Sequence, residues 1–376
     1  MNKLIHKLRI IVIFIIIPMT FCGCWDEHPF ERIGFSTVYG IEVSEDDSKM
    51  KITIVNPVTD PGSKARSEIL TTTASLLRSS REALRRKSSK SMEAGKTQLL
   101  IYSKDIAERG EISKINEILE RDPTDPIIAW LIVVDGSAEK FLRGVEKLSD
   151  KQRSYTYLTE LLKRNSKSGY NPETRIYSFD ITSFEEGIDN IAPLVKLEKD
   201  GAVIKGTALF SGDKMVGSLT SRNTSLLMAM MGKLKFTEYQ FNSVNLPKNK
   251  MQIKQGLSAV LNSCKRKIEV KIVDNRPVVN IDLSLSGNID EYKIYDFNED
   301  ENLERLNLKL QRELNKDCIN VINYLKDINS DPIGIGNIVR AKYNSYWKKV
   351  DWTKAYKNAV INVNVKLKIT QYGVSQ

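Results

Sequence analysis

The stretch Val278-Val-Asn-Ile-Asp-Leu-Ser-Leu-Ser286 decides the architecture of the second half of this chain. Val279, Ile281, Leu283 and Leu285 alternate with Asn280, Asp282 and Ser284. A period of two places each set on its own face of a strand, one apolar and one wet. Such a strand belongs to a sheet covered on one side, the usual pattern of antiparallel sheets. Lys267 to Val273, across the turn Asp274-Asn275-Arg276-Pro277, reads as its hairpin partner. The cover comes next. From about Glu301 to Lys326, Leu303, Leu306, Leu310, Leu314, Cys318, Val321, Ile322 and Leu325 recur at helical spacing. A second helix is expected over Asn337 to Lys349, and Ile361 to Ile369 alternates as a final strand. Earlier in this half, Ala202 to Phe210 and Met215 to Leu219 form a hairpin about Gly212-Asp213. Ser225 to Met231 reads as a short helix capped by Thr224.

The first half has a different grammar. Ser36 to Val43 and Lys51 to Val55 read as paired strands, and Gln98 to Tyr102 as a buried one. Between them, Ser67 to Met92 is expected to be one long helix, with Leu70, Ala74, Leu77 and Leu84 on one face. Arg78, Arg85, Arg86, Lys87 and Lys90 lie mainly off that stripe, as a solvated face or a lipid- or partner-binding patch. A short helix around Ile112 to Leu119 leads to the continuous apolar strand Ile127 to Val134, then to helices from Ser137 to Leu148 and Tyr155 to Arg164. Alternating strands and helices predict a small α/β layer. Asn165 to Arg175 reads as a loop or hinge, and Lys196 to Gly201 as a join. The expected fold class is therefore α+β and multi-domain: an N-terminal α/β-like layer, then a C-terminal antiparallel sheet packed with long helices.

The N-terminus is organised around Phe21-Cys-Gly-Cys-Trp25. Lys3, Lys7 and Arg9 precede the apolar run Ile10 to Ile17, which is too short to span a bilayer. Gly23 then stands directly before Cys24, the arrangement in which a thiol is acylated and the chain cut in front of it. Two acyl chains hold such an N-terminus firmly, each buried methylene contributing about 0.8 kcal/mol. Cys24 is thus the expected lipidation site. The expected units are 1–23 as signal peptide, 24–198 as N-terminal domain with a small middle subdomain near 165–198, and 199–376 as the C-terminal α+β domain. The net charge of +10 falls to +7 when Lys3, Lys7 and Arg9 leave with the signal. A basic body beside an anionic membrane gains some attraction, and no nucleic-acid motif is present.

Little in the sequence supports catalysis. His28 is the one histidine after the signal, which excludes serine or cysteine triads and multi-histidine metal sites. Gly95-Lys96-Thr97 lacks the earlier glycine of a phosphate loop, Lys90 standing there, and the strand–loop–helix order is reversed. Asp296-Phe-Asn-Glu-Asp300 begins like a calcium loop, but Glu301 occupies the glycine position and Asn307 the bidentate glutamate position. No catalytic residue, cofactor or metal ligand is assigned. Cys264 and Cys318 lie in apolar-patterned elements, which suits buried free thiols, with a bridge as the alternative. Asp331-Pro-Ile-Gly-Ile-Gly336, Trp347 and Trp352 read as a core-closing module or a binding surface.

Three ordered parts carry a resemblance: Cys24-Trp25-Asp26; Gly206-Thr-Ala-Leu-Phe210 leading into Val216-Gly217-Ser-Leu219; and Asp331, Gly334-Ile-Gly336, Trp347, Trp352 and Gly373. Together they resemble the C-subunit lipoproteins of spore germinant receptors, the Ger(x)C family, over nearly the whole chain. Pro332 stands where the family more often has an aliphatic residue, and Phe21 and Cys22 where smaller or branched ones are usual. The resemblance implies several α+β domains with mixed sheets and no enzymatic activity. It implies a lipid anchor, built from acyl chains such as palmitate, on the outer face of the spore inner membrane. It further implies action with integral membrane A- and B-type subunits in a receptor whose nutrient response starts germination. Direct nutrient contact is assigned to no residue. The alternative reading is an extracytoplasmic substrate-binding lipoprotein of an uptake system, which usually shows two similar lobes; here the halves differ.

Overall fold

The computed structural model describes His6 and residues 33–58, 62–63, 65–93, 95–121, 127–148, 153–241, 257–291 and 300–372. The first half is built on an eight-stranded sheet. Its central strands are β2 (Val38–Val43), β6 (Leu99–Ser103), β7 (Trp130–Val134) and β8 (Ile191–Glu198), all mutually parallel. Antiparallel strands flank them: β3 (Met50–Pro57) and β4 (Ser67–Ala74) on one side, β9 (Gly201–Ser211) and β10 (Lys214–Thr220) on the other. Every residue of β6 and β7 is buried, as expected for parallel strands covered on both faces.

Helices cover both faces. On one lie α1 (Leu77–Arg85), α2 (Lys104–Arg109), α3 (Ile112–Glu120) and α6 (Ile176–Phe184), around Tyr102, Ile115, Phe179 and Phe210. On the other lie α4 (Ala138–Leu148) and α5 (Ser154–Lys167), through Phe141, Leu142, Val145, Leu158 and Leu162. A short parallel pair, β1 (Ile33–Phe35) and β5 (Ser91–Glu93), stands beside this layer.

The expected helix over Ser67 to Met92 does not form. Residues 67–74 are instead the edge strand β4, followed by the nine-residue α1 and then β5. The physical reason is local: Ile69, Thr71, Thr72 and Thr73 are β-branched and prefer the extended backbone. Arg78, Arg85, Arg86 and Lys87 are exposed, and the Lys87 ammonium donates to the Thr71 carbonyl at 2.6 Å. Three helices not expected appear: α2, α6 and α11 (Trp352–Asn358). Strand β7 starts at Trp130, leaving Ile127 and Ile128 outside it. The expected join near Lys196 to Gly201 is the tight turn between β8 and β9, and the sheet continues across it.

The second half is a four-stranded sheet in the order β11 (Thr237–Phe241), β12 (Leu257–Val273), β13 (Arg276–Glu291), β14 (Val360–Tyr372). Asp274 and Asn275 both take positive φ, the two-residue turn that matches hairpin twist, so β12 and β13 run far beyond their expected ends. The α+β class is observed, with one difference: β14 pairs with β13 in parallel, so this sheet is mixed. Helix α8 (Asp300–Asp327) crosses its apolar face, where Leu310, Leu314, Cys318, Val321 and Leu325 pack with Val279, Ile281, Leu283, Val363 and Val365. A polar stripe on α8 also serves the edge of β14. Gln311 accepts from the Leu367 N–H at 3.1 Å, Asn315 from the Val365 N–H at 3.0 Å, and Asn307 donates to the Leu367 carbonyl at 3.1 Å. A free sheet edge is thereby closed by a helix.

Helix α7 (Ser221–Met230) links the two sheets, capped by Thr220 and not by Thr224, which is buried against Thr207. Arg222 at its start pairs with Asp317 at 2.9 Å and stacks on Tyr239. The helix expected over Asn337 to Lys349 is broken at Tyr343 into α9 (Ile335–Lys342) and α10 (Asn344–Trp347). Cys264 and Cys318 are free thiols; burial pushes Cys318 up to about 12.

Candidate functional site

Cys24 and Gly373 lie outside the described residues. The other two parts of the sequence pattern meet at one joint between the halves of the molecule. It starts from Ser330-Asp331-Pro-Ile-Gly-Ile-Gly336, the connection from α8 to α9. Gly334 takes φ 77°, which lets the chain reverse and point its next amides inward. The Asp331 carboxylate collects them: Oδ1 accepts from the N–H groups of Gly334 and Ile335, both at 3.0 Å, and Oδ2 from Gly336 at 2.8 Å. It occupies the anion position at a helix N-terminus.

Asp189, just before β8, answers from the first half. Its Oδ2 accepts from the Asp331 N–H at 2.7 Å, its Oδ1 from Gly212 N–H at 2.8 Å, and its own N–H donates to the Asp331 carbonyl at 3.0 Å. The Ser330 hydroxyl donates to the Phe210 carbonyl at 2.6 Å, so the Gly206–Phe210 segment is tied to the same loop. Burial pushes the Asp331 carboxyl up to about 7, against its three N–H donors, with the neighbouring Asp189 adding to the rise. Burial also raises Asp189, again opposed by its N–H donors. Both carboxyl groups are engaged by backbone amides, and through them the two halves are tied together.

Packing closes the joint. A Cβ on Gly187 would come within 2.5 Å of the Gly336 carbonyl carbon, and one on Gly336 within 2.5 Å of Trp352 Nε1. Trp352 lies between Trp347 and Tyr356, with ring centroids at 5.4 and 5.9 Å, and the Tyr356 hydroxyl donates to the Ser330 carbonyl at 3.0 Å. A cleft of about 290 Å³ opens beside these rings, lined by Glu185, Glu186, Asp189 and Trp347 among others. The Trp347 indole donates to Glu186 at 3.4 Å. On β10, a Cβ at Gly217 would meet the Tyr324 hydroxyl at 2.5 Å, so this glycine lets the hairpin lie against α8.

Sequence reasoning found Asp331, the glycine pair and both tryptophans, but assigned nothing to Asp189 or Gly187. It also missed a second buried network in which Tyr102 donates to Asn116 at 2.5 Å and Asn116 to Asp180 at 2.8 Å. Burial raises Asp180 to about 7; Asn116 opposes the rise and Glu120 adds to it. Among the described residues no group of three or more His, Cys, Asp or Glu is placed to hold a metal ion. No described helix is long and apolar enough to cross a membrane.

Known protein families divide the chain at the turn between β8 and β9, inside the first sheet. The family model described as "Spore germination protein N-terminal domain" matches residues 26–197, and "Spore germination B3/ GerAC like, C-terminal" matches 205–373. Spore germination protein GerQC of Bacillus cereus is 24% identical, over 97% of this chain and 99% of its own. Spore germination protein KC of Bacillus subtilis is 21% identical, over 94% of this chain and 92% of its own. The crystal structure of the GerBC protein superposes with a TM-score of 0.58 at 18% identity, covering 91% of this chain and 99% of that one. Sequence pattern, fold and end-to-end matches agree: this chain belongs to the Ger(x)C family, the C-subunits of spore germinant receptors.

Proposed function

We propose that this chain is the lipid-anchored, non-enzymatic subunit of a nutrient germinant receptor, acting with integral membrane A- and B-type subunits to initiate spore germination. The observation that carries the reading is the match of two spore-germination family models on either side of residue 200. Gly23-Cys24 at the end of the apolar run supports the anchor, by the chemistry of thiol acylation. A non-enzymatic role is supported by the joint itself, whose acids are occupied by backbone amides. On this reading the body on the outer face of the spore inner membrane is two sheets tied together through Asp189 and Asp331, with β9 and β10 of the expected unit 199–376 completing the sheet of the expected unit 24–198.

The test is Cys24→Ala in a strain without redundant receptors, beside a full deletion. Loss of the protein from the inner-membrane fraction, together with loss of the nutrient response, is expected. A Cys24→Ala protein that stays in the membrane and germinates normally overturns the anchor. Normal germination by the deletion strain overturns the function. Saturable nutrient binding by the purified chain alone would support the uptake-system alternative.

A further inference from the structure

Helix α6 presents an unusual face to solvent. Its sequence Ile176-Tyr-Ser-Phe-Asp-Ile-Thr-Ser-Phe184 holds one charge, Asp180, and that side chain is buried. Tyr177, Ile181 and Phe184 recur at i, i+4 and i+7, so they line one exposed face; Ile181 is 57% and Phe184 81% exposed. The face continues onto Ile127 and Ile128, the latter 68% exposed. The Tyr177 N–H donates to the Ile127 carbonyl at 3.0 Å, and the Arg175 guanidinium to that of Ile128 at 3.1 Å. The serine and threonine hydroxyls of this helix are bonded within the helix. Ser178 donates to the Arg175 carbonyl, Thr182 to Ser178 and Ser183 to Phe179, at 2.9, 3.0 and 3.0 Å.

This patch lies where the chain enters the fold. Val38, Leu99 and Trp130 are in register across the starting edge of the parallel strands. With strands about 4.8 Å apart, Trp130 sits about 10 Å from Val38. Only nine residue steps separate Cys24 from Ile33, a reach of about 30 Å when fully extended. A body tethered at Cys24 therefore keeps this edge close to the membrane.

We infer that the α6 face, formed by Tyr177, Ile181 and Phe184 with Ile127 and Ile128, docks into the lipid interface and orients the body on the bilayer. The inference rests on the Cys24 anchor of the proposed function. A lipid surface fits because the face is made of aliphatic and aromatic side chains beside the tethered entry of the chain, and Tyr177 has the apolar ring and polar tip suited to the headgroup level. Shallow insertion of aromatic and aliphatic side chains is how interfacial helices bind.

The experiment uses the full chain, lipidated in its expression host, with Cys264→Ser to remove the half-buried thiol. A polarity-sensitive nitrobenzoxadiazole label is placed at Phe184→Cys, or at Lys163→Cys on the opposite side of the sheet as control. Each protein is floated with phosphatidylethanolamine–phosphatidylglycerol vesicles with and without brominated acyl chains. The label at 184 is expected to brighten severalfold and to be quenched by the brominated lipid, while the label at 163 does neither. Failure to float with the vesicles would count against the Cys24 anchor. A protein that floats but keeps the 184 label in water overturns the docking face while leaving the anchor intact. Protection of position 184 only when the integral membrane subunits are present overturns the lipid assignment in favour of a protein partner.

Discussion

Replacing Gly336 by Ala adds one methyl group where the two halves of the molecule touch. The new Cβ would lie 2.5 Å from Trp352 Nε1, 2.6 Å from its Cε2 and 2.7 Å from the Gly187 Cα. Ordinary carbon contacts sit at about 3.5–4.0 Å, so each neighbour must retreat by about 1 Å. Neither retreats easily. The Trp352 ring is held between Trp347 and Tyr356, and Gly187 is backbone whose carbonyl accepts from the Asn337 N–H at 2.8 Å. Overpacking of this kind costs about 1–3 kcal/mol. Alanine recovers up to about 1 kcal/mol as the better helix former. The expected net loss is about 1–2 kcal/mol, or about 1–3 °C in Tm for a chain of this length. Gly144→Ala, in the middle of α4, is the control. Its Cβ would fall even closer to a neighbour, 2.2 Å from Leu197 Cδ2, but that atom ends a half-buried, flexible side chain. It should be neutral or slightly stabilising. Thermal unfolding by circular dichroism of both variants decides the matter. If Gly336→Ala is as stable as the parent, or Gly144→Ala is the worse of the two, the rigidity assigned to the Gly187–Gly336–Trp352 contact is wrong.

Other consequences follow from the buried polar groups and turns. Asp180 titrates at about 7 in the fold against 3.8 as its ordinary value, so the folded state holds a proton that the unfolded chain releases. Its contribution to stability therefore falls as pH rises between about 4 and 7, and then levels off. Asp180→Asn should flatten that slope and gain on the parent above neutrality, read from urea midpoints across the range; an unchanged slope would contradict the burial argument. Asn315→Ala removes the acceptor for the Val365 N–H and should cost about 1–3 kcal/mol in the same assay. Asn275→Val should cost about 1–2 kcal/mol, because φ at this position is 59°, whereas Asn275→Gly should be tolerated or stabilising.

Elements with a strong local period were legible in the sequence. Val279 to Leu285 alternates and is a half-buried strand; Leu306 to Leu325 repeats helically and is α8. The reading failed where local and global signals competed. Leu70, Ala74 and Leu77 have helical spacing, yet the threonine run between them extends, because β3 offers an edge to pair with. Helix α6 was missed since its period is apolar on both faces, with Phe179 buried and Phe184 exposed. The site was half visible: Gly334, Gly336 and the tryptophans stand out as residue types, while Asp189 is an ordinary acid until Asp331 is placed beside it.

What the sequence determined by itself was local or covalent. The cysteine after a small residue at the end of an apolar run, the one histidine of the expected mature chain and the periods of its strands and helices are all properties of neighbouring residues. The tertiary structure alone decided the parallel docking of β14, the continuation of the first sheet across the β8–β9 turn and the Asp189–Asp331 joint. Those depend on partners as far as 142 residues apart. Which distant amide meets a given carboxylate is settled only when whole layers pack, since no short window of sequence records the geometry that brings them together.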